Sequence, residues 1–349
     1  MSKKSRTLKK ARAQLRGDAR PVTKVKDAGD AIAMIPYLLG FTPADSIVVQ
    51  ALVGPRNRFG PCFRLDLAAA GDAQTQAEYV TRLVDHHRFG PVMILAFSDQ
   101  PERADPVVRA VLAGLGQIGV SIIDAVRADG DRWWSYVCAD PSCCSPHGTS
   151  YDVETSRVAA EAVLSGLQRA PDRESLRAQF DPDPARRAEV GAAVDRLTGS
   201  ASYAATCVVA ARHIDSMIAD SLDRPEMLTA EEAARLALAV QDLTARDRAW
   251  MLMTRANADR HFALWRFLMR SVPDAVMPPV GSLAAFAAWL SGHGVLASHA
   301  VERVQQVRPE YPMARLIADA LEGAVSPLTW DTHLRPQLQG APDLGPLAG

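Results

Sequence analysis

No stretch of about eighteen consecutive apolar residues occurs in the 349-residue sequence, which excludes an ordinary membrane-spanning helix. No Gly-x-Gly-x-x-Gly or Walker pattern appears, so the two commonest phosphate-cradling loops are excluded as well. Cysteine is scarce and odd in number, five in all, and no Cys-x-x-Cys pair exists to begin a zinc finger. The opening residues lack the apolar core and cleavage site of a secretory signal. The expected location is therefore the cytoplasm, where thiols stay reduced and a disulfide framework is not expected.

What is present is an ordinary globular composition, 48% hydrophobic and 23% charged, in a chain long enough for two domains. The net charge of -1 hides an asymmetry: residues 1–26 hold ten Lys and Arg against Asp18 alone, near +9, leaving the rest near -10. Such a segment reads as a basic disordered leader, with residues 3–26 able to meet nucleic acid through phosphates. It carries no aromatic for base stacking.

Residues 27–148 alternate between helical and extended patterns. Ala31, Ile32, Ile35 and Leu38 recur at helical spacing before Gly40, Ser46–Val53 is a β-branched run, and Phe63, Leu65 and Leu67 alternate with polar residues. Helical patterns at 72–88 and 102–117 flank the apolar run 91–97, and the Asp129-Gly130 turn joins a strand at 120–128 to Trp133–Cys138. The expectation is an α/β domain with a mixed sheet in ββαβαββ order. From 149 to 325 the period is helical, with segments at 185–197, 201–221, 229–243, 246–255, 257–270, 281–292, 295–307 and 311–322. Trp289, Gly292, Ala297, Ala300, Pro309 and Ala314 stand near the spacing of a tetratricopeptide-like helix pair within this all-α domain. A Pro/Gly-rich tail occupies 326–349.

Chemistry concentrates in Trp133 to Gly148, where Cys138, Cys143, Cys144 and His147 crowd together. Cys138, Cys143 and His147 supply ligand types that zinc prefers, with Asp140 nearby. Adjacent cysteines rarely both reach one tetrahedral ion, so no metal is expected, zinc being the weaker alternative. A nucleophilic Cys143 or Cys144 would need a base, and His147 is too close in sequence for the usual pairing. The plain expectation is a strand ended by Cys138 and a loop that forms the seam between the two domains. Thr42, Asp45 and Ser46 could present hydroxyls and backbone N–H groups to a ligand, and Asp66 could serve as acid, base or ion partner. Thr42, Asp45, Ser46, Asp66, Cys143, Cys144 and His147 are thus the candidate ligand-binding residues, with no catalytic residue assigned and no cofactor identified.

Pro36-Tyr37-Leu38-Leu39-Gly40-Phe41 with Pro43, Asp45 and Ser46, then Arg64-Leu65-Asp66-Leu67, the Cys138 to Gly148 stretch, Leu264-Trp265 and the Trp289 to Ala314 helices carry a resemblance. Together they resemble an uncharacterised bacterial family of actinobacterial type, the domain of unknown function DUF4192. The resemblance implies a cytoplasmic bacterial protein with an α/β portion followed by a helical portion, and no catalytic residue comes with it.

Three function classes follow as expectations. A protein-interaction or regulatory binding module is favoured, because no catalytic triad, metal cage or phosphate loop is complete. An enzyme or small-molecule sensor would place its ligand near Cys143, Asp45 and Ser98. A nucleic-acid accessory would work through the basic leader.

Overall fold

A computed structural model describes residues 24–200 and 212–340. All but the last residues of the basic leader, the stretch 201–211 of the helical pattern at 201–221 and the end of the Pro/Gly-rich tail lie outside the described residues. The chain divides into two compact units between Arg173 and Glu174.

The first unit begins with helix α1 (Ala28–Leu39), whose N-terminus is capped by the Asp27 carboxylate accepting from the Asp30 N–H at 2.9 Å. Gly40 ends it at φ 83°, and its N–H donates to the Pro36 carbonyl. The helix runs on through Pro36. Then come β1 (Ser46–Val53), β2 (Arg58–Asp66), α2 (Ala73–His86), β3 (Val92–Phe97), α3 (Pro101–Gln117), β4 (Ile122–Ala128), β5 (Arg132–Ser135), β6 (Thr149–Ser150) and α4 (Arg157–Leu164).

The strands form one mixed sheet in the order β2-β1-β3-β4-β5-β6, in which β3 and β4 are parallel and the remaining neighbours antiparallel. Side-chain alternation decides what covers each face. Ile47, Val49, Ile94, Ala96 and Ala125 pack with Ala77, Val80 and Val84 of α2 and Val107, Val108 and Val111 of α3. Val48, Leu52, Met93, Leu95, Phe97 and Val126 pack with Ala31, Ile32 and Ile35 of α1. Every residue of β3 is buried, which explains why its sequence is an uninterrupted apolar run with no alternation.

Two sequence-based boundaries move. Strand β5 stops at Ser135, so Cys138 lies in the loop beyond it and does not end the strand. The division between units falls well after residue 148, because α4 packs Ala159 and Ala162 on Met34 and Tyr37 of α1. Phe41 also bridges Ala170 in parallel. The cysteine loop therefore belongs to the sheet edge of the first unit.

The second unit is helical throughout its described residues. After the short α5 (Arg173–Arg177), which straddles the division, come α6 (Pro184–Thr198), α7 (Ile214–Ser221), α8 (Ala230–Ala239), α9 (Leu243–Met251), α10 (Ala258–Ser271), α11 (Met277–Leu290), α12 (Gly294–Val307), α13 (Pro312–Glu322) and α14 (Arg335–Gly340). Helix α11 is buried on all sides, as its almost wholly apolar sequence requires, and its one hydroxyl, on Ser282, donates to the Pro278 carbonyl. It starts earlier than the periodicity indicates because Pro278 and Pro279 occupy its first turn, where no intrahelical N–H is needed. A Cβ at Gly281 would stand 2.5 Å from Val304 Cγ2, so glycine is what lets α11 and α12 approach. Trp250 stacks on Trp330 with centroids 5.5 Å apart, and Phe286 meets both edge-on.

Candidate functional site

Four of the residues singled out from the sequence come together where β1 begins and β3 ends. Asp45 sits at φ 40°, a conformation that non-glycine residues seldom adopt. Its carboxylate accepts from the Ser98 hydroxyl at 2.8 Å and from the Arg103 guanidinium at 2.5 Å. Ser46 is fully buried, donating its hydroxyl to the Ala44 carbonyl and accepting from Arg64 Nε at 2.8 Å. Thr42 Oγ1 accepts from Arg169 at 2.9 Å. Asp66 pairs with Arg64 and, at 3.5 Å, with Arg173. Arginines from a strand, a helix and a loop thus hold the turn 42–46 in place.

The cysteines occupy a second place, the loop between β5 and β6. That loop starts with Ser135 Oγ accepting from the N–H groups of Val137 and Cys138 at 3.2 and 3.0 Å. A tight turn follows, in which the Asp140 carbonyl accepts from the N–H groups of both Cys143 and Cys144, at 3.1 and 2.7 Å. The Asp140 carboxylate meanwhile accepts from the Ser142 N–H and hydroxyl, which lowers its pKa. The result is that the sulfurs of Cys138, Cys143 and Cys144 all lie within 4.8 Å of one another. Cys143 and Cys144 are 4.0 Å apart, sulfur to sulfur, which is far from a disulfide bond.

The sulfurs that converge differ from the weaker sequence-based alternative of Cys138, Cys143 and His147. Adjacent Cys143 and Cys144 both reach the common centre, because the turn over Asp140 folds the chain back towards Cys138. His147 does not belong to the group. Its N–H donates to Ser145 Oγ and its carbonyl accepts from Arg132 at 3.2 Å.

Cys138 and Cys144 differ in proton affinity. The Asp140 N–H and then the Cys144 thiol donate to the Cys138 sulfur, which lowers its pKa. Desolvation, followed by its contacts with Cys138 and Cys143, pushes Cys144 up to about 12. Cys138 therefore gives up its proton more readily than Cys144. Half-buried Cys62 is a different case: burial alone raises it to about 12, as befits a packing residue.

One side chain connects the two places, and the sequence analysis did not single it out. Trp134 donates its indole N–H to the Pro146 carbonyl at 3.3 Å, and a Cβ on Gly148 would come within 2.7 Å of its ring. The opposite register position on β4 is Arg127, whose guanidinium carbon lies 4.1 Å from the Trp134 ring centroid. Arg127 in turn donates to the Ser98 carbonyl at 3.0 Å, and the Ser98 hydroxyl reaches Asp45. An arginine in the otherwise apolar end of a strand, Ala125 to Ala128, is the signal that could have found it, since a buried cation must be paired.

The second unit has its own small cavity of about 10 Å³, lined by Phe180, Arg177, His299 and Arg303 among others. His299 Nε2 is buried and has no hydrogen-bond partner.

No helix among the described residues is long and apolar enough to cross a membrane. No curated protein and no solved structure matches the chain. Residues 29–328 match one family along nearly their whole described length, and the chain belongs to that family, the domain of unknown function DUF4192.

Proposed function

We propose that the protein is a regulatory binding module whose responsive element is the thiol loop of its α/β unit. The observation that supports this reading most is the convergence of the Cys138, Cys143 and Cys144 sulfurs within 4.8 Å on a loop that Trp134 and Arg132 fasten to the sheet. A loop of this kind has one soft, reactive face and one fixed end. Whatever engages the thiols repositions Pro146 and Gly148 against Trp134. The displacement passes to Arg127, to Ser98 and to the strained turn at Asp45. The arginine-held turn 42–46 is then the output surface.

Blocking the thiols with N-ethylmaleimide tests the reading. The expected result is a change in tryptophan emission that is absent from a W134F variant and from a C138S/C143S/C144S variant. An equal change in all three chains would refute it.

A protein partner is the second reading, favoured by Val163 and Leu164, adjacent apolar residues 57% and 83% exposed at the end of α4. A partner cross-linked to the native chain should be lost from a V163S/L164S variant. Retention of that partner by the variant would rule this surface out.

A further inference from the structure

The three sulfurs form a coordination face, and the geometry points to its ligand: a thiophilic d10 metal ion, Zn²⁺ or Cu⁺, held by Cys138, Cys143 and Cys144. This inference rests on the reading of the thiol loop as the responsive element, and it names what the loop responds to.

The distances suit such an ion. With metal–sulfur bonds of about 2.3 Å, sulfurs stand about 3.8 Å apart in a tetrahedron and about 4.0 Å apart in a trigonal plane. Cys143 and Cys144 are already 4.0 Å apart, and every pair in the group lies within 4.8 Å, so closing onto an ion takes a contraction of less than about 1 Å. The ligand chemistry agrees, since soft thiolates select zinc and copper(I) over the hard cations that prefer oxygen.

The backbone around the site is built for it. Asp140 anchors the turn through its carbonyl, and its carboxylate is engaged by Ser142, so it does not compete as a ligand. Arg132 ties down the far end of the loop through the carbonyls of His147 and Gly148. Three protein ligands leave the fourth position of a tetrahedral ion open, the arrangement of exchangeable and catalytic zinc sites. Binding converts three thiols to thiolates and releases their protons, so affinity rises with pH.

The test uses the full chain, kept reduced with a non-thiol reductant under nitrogen. Co²⁺, a spectroscopic stand-in for Zn²⁺, is titrated first, followed by Zn²⁺ and Cu⁺ against chromophoric chelators. One ion per chain is expected, with a sulfur-to-cobalt charge-transfer band. C138S, C143S and C144S should each weaken binding at least about tenfold, and the triple variant should lose the band. H147A and C62S should bind within about twofold of the native chain. A second readout uses the unsubstituted protein: bound Zn²⁺ should shield Cys138, Cys143 and Cys144 from iodoacetamide, with the sites mapped by mass spectrometry.

Failure of Zn²⁺ and Cu⁺ to bind stoichiometrically, or a band that survives in the triple variant, would overturn the assignment. So would a loss in H147A that C144S does not show. If no ion binds while thiol blocking still alters Trp134, the ion is wrong and the responsive loop stands. If the ion binds and Trp134 is unaffected, the responsive reading fails instead.

Discussion

Arg127 lies with its guanidinium carbon 4.1 Å from the centre of the Trp134 ring, directly across the β4–β5 ladder. The contact joins a buried cation to the aromatic on which the cysteine loop rests, and the same guanidinium caps the Ser98 carbonyl at 3.0 Å. Replacing Arg127 with Met keeps much of the apolar stem while removing both interactions. A destabilisation of about 2 kcal/mol is expected, read from urea denaturation midpoints. A midpoint equal to that of the native chain would show that the contact does not hold the sheet edge.

Gly148 is the second fixed point of the loop. It adopts φ 78°, and a Cβ there would lie 2.7 Å from the Trp134 ring. Gly148→Ala combines left-handed strain with a steric conflict. It should cost about 1–2 kcal/mol or more in chemical denaturation and should shift Trp134 emission. An unperturbed emission spectrum would mean that the loop does not rest on the indole.

The thiols should not react alike. Cys138 is favoured as thiolate by the Asp140 N–H and by Cys144, whereas Cys144 is pushed up to about 12. Iodoacetamide at neutral pH should therefore label Cys138 before Cys144, as followed by peptide mass mapping. Cys144→Ala removes a thiol donor and should slow labelling of Cys138. Faster labelling of Cys144 than of Cys138 in the native chain would reverse the assignment.

Sequence and structure agree best where a single period dominates. The β-branched run of residues 46–53 and the uninterrupted apolar run at 91–97 mark β1 and β3, and the Asp129-Gly130 turn marks the β4–β5 hairpin. The cysteine cluster was visible as composition, but its geometry was not. Whether adjacent Cys143 and Cys144 can share a centre depends on both their N–H groups turning towards the Asp140 carbonyl, and no spacing rule states that. The partners of Arg103, Arg127 and Arg169 were hidden for a related reason. Each lies tens of residues or more away, brought near by strand order for Arg103 and Arg127 and by the Phe41–Ala170 bridge for Arg169.

In the helical unit, His261 supplies a test by pH. Burial, with Arg260 adding to it, pushes its imidazole from 6.5 down to about 4, and its Nδ1 has no hydrogen-bond partner. Because the folded value lies below the unfolded one, the unfolded chain takes up a proton that the native chain refuses. The contribution to stability is complete above about pH 6.5 and is lost as pH falls towards 4. Denaturation measured across that window should show a dependence of up to about 1.4 kcal/mol per pH unit from this group, absent in His261→Leu. A slope unchanged by the substitution would place the titration elsewhere.

The central claim is that the thiol loop governs the turn at Asp45, and hydrogen–deuterium exchange of residues 42–46 and 98–103 tests it most directly. Exchange should be compared between the reduced chain, the chain with Zn²⁺ and the chain with thiols blocked by N-ethylmaleimide, each beside C138S/C143S/C144S. The account predicts that engaging the thiols changes exchange in both segments of the native chain and in neither segment of the variant. Identical exchange in all native samples would contradict it.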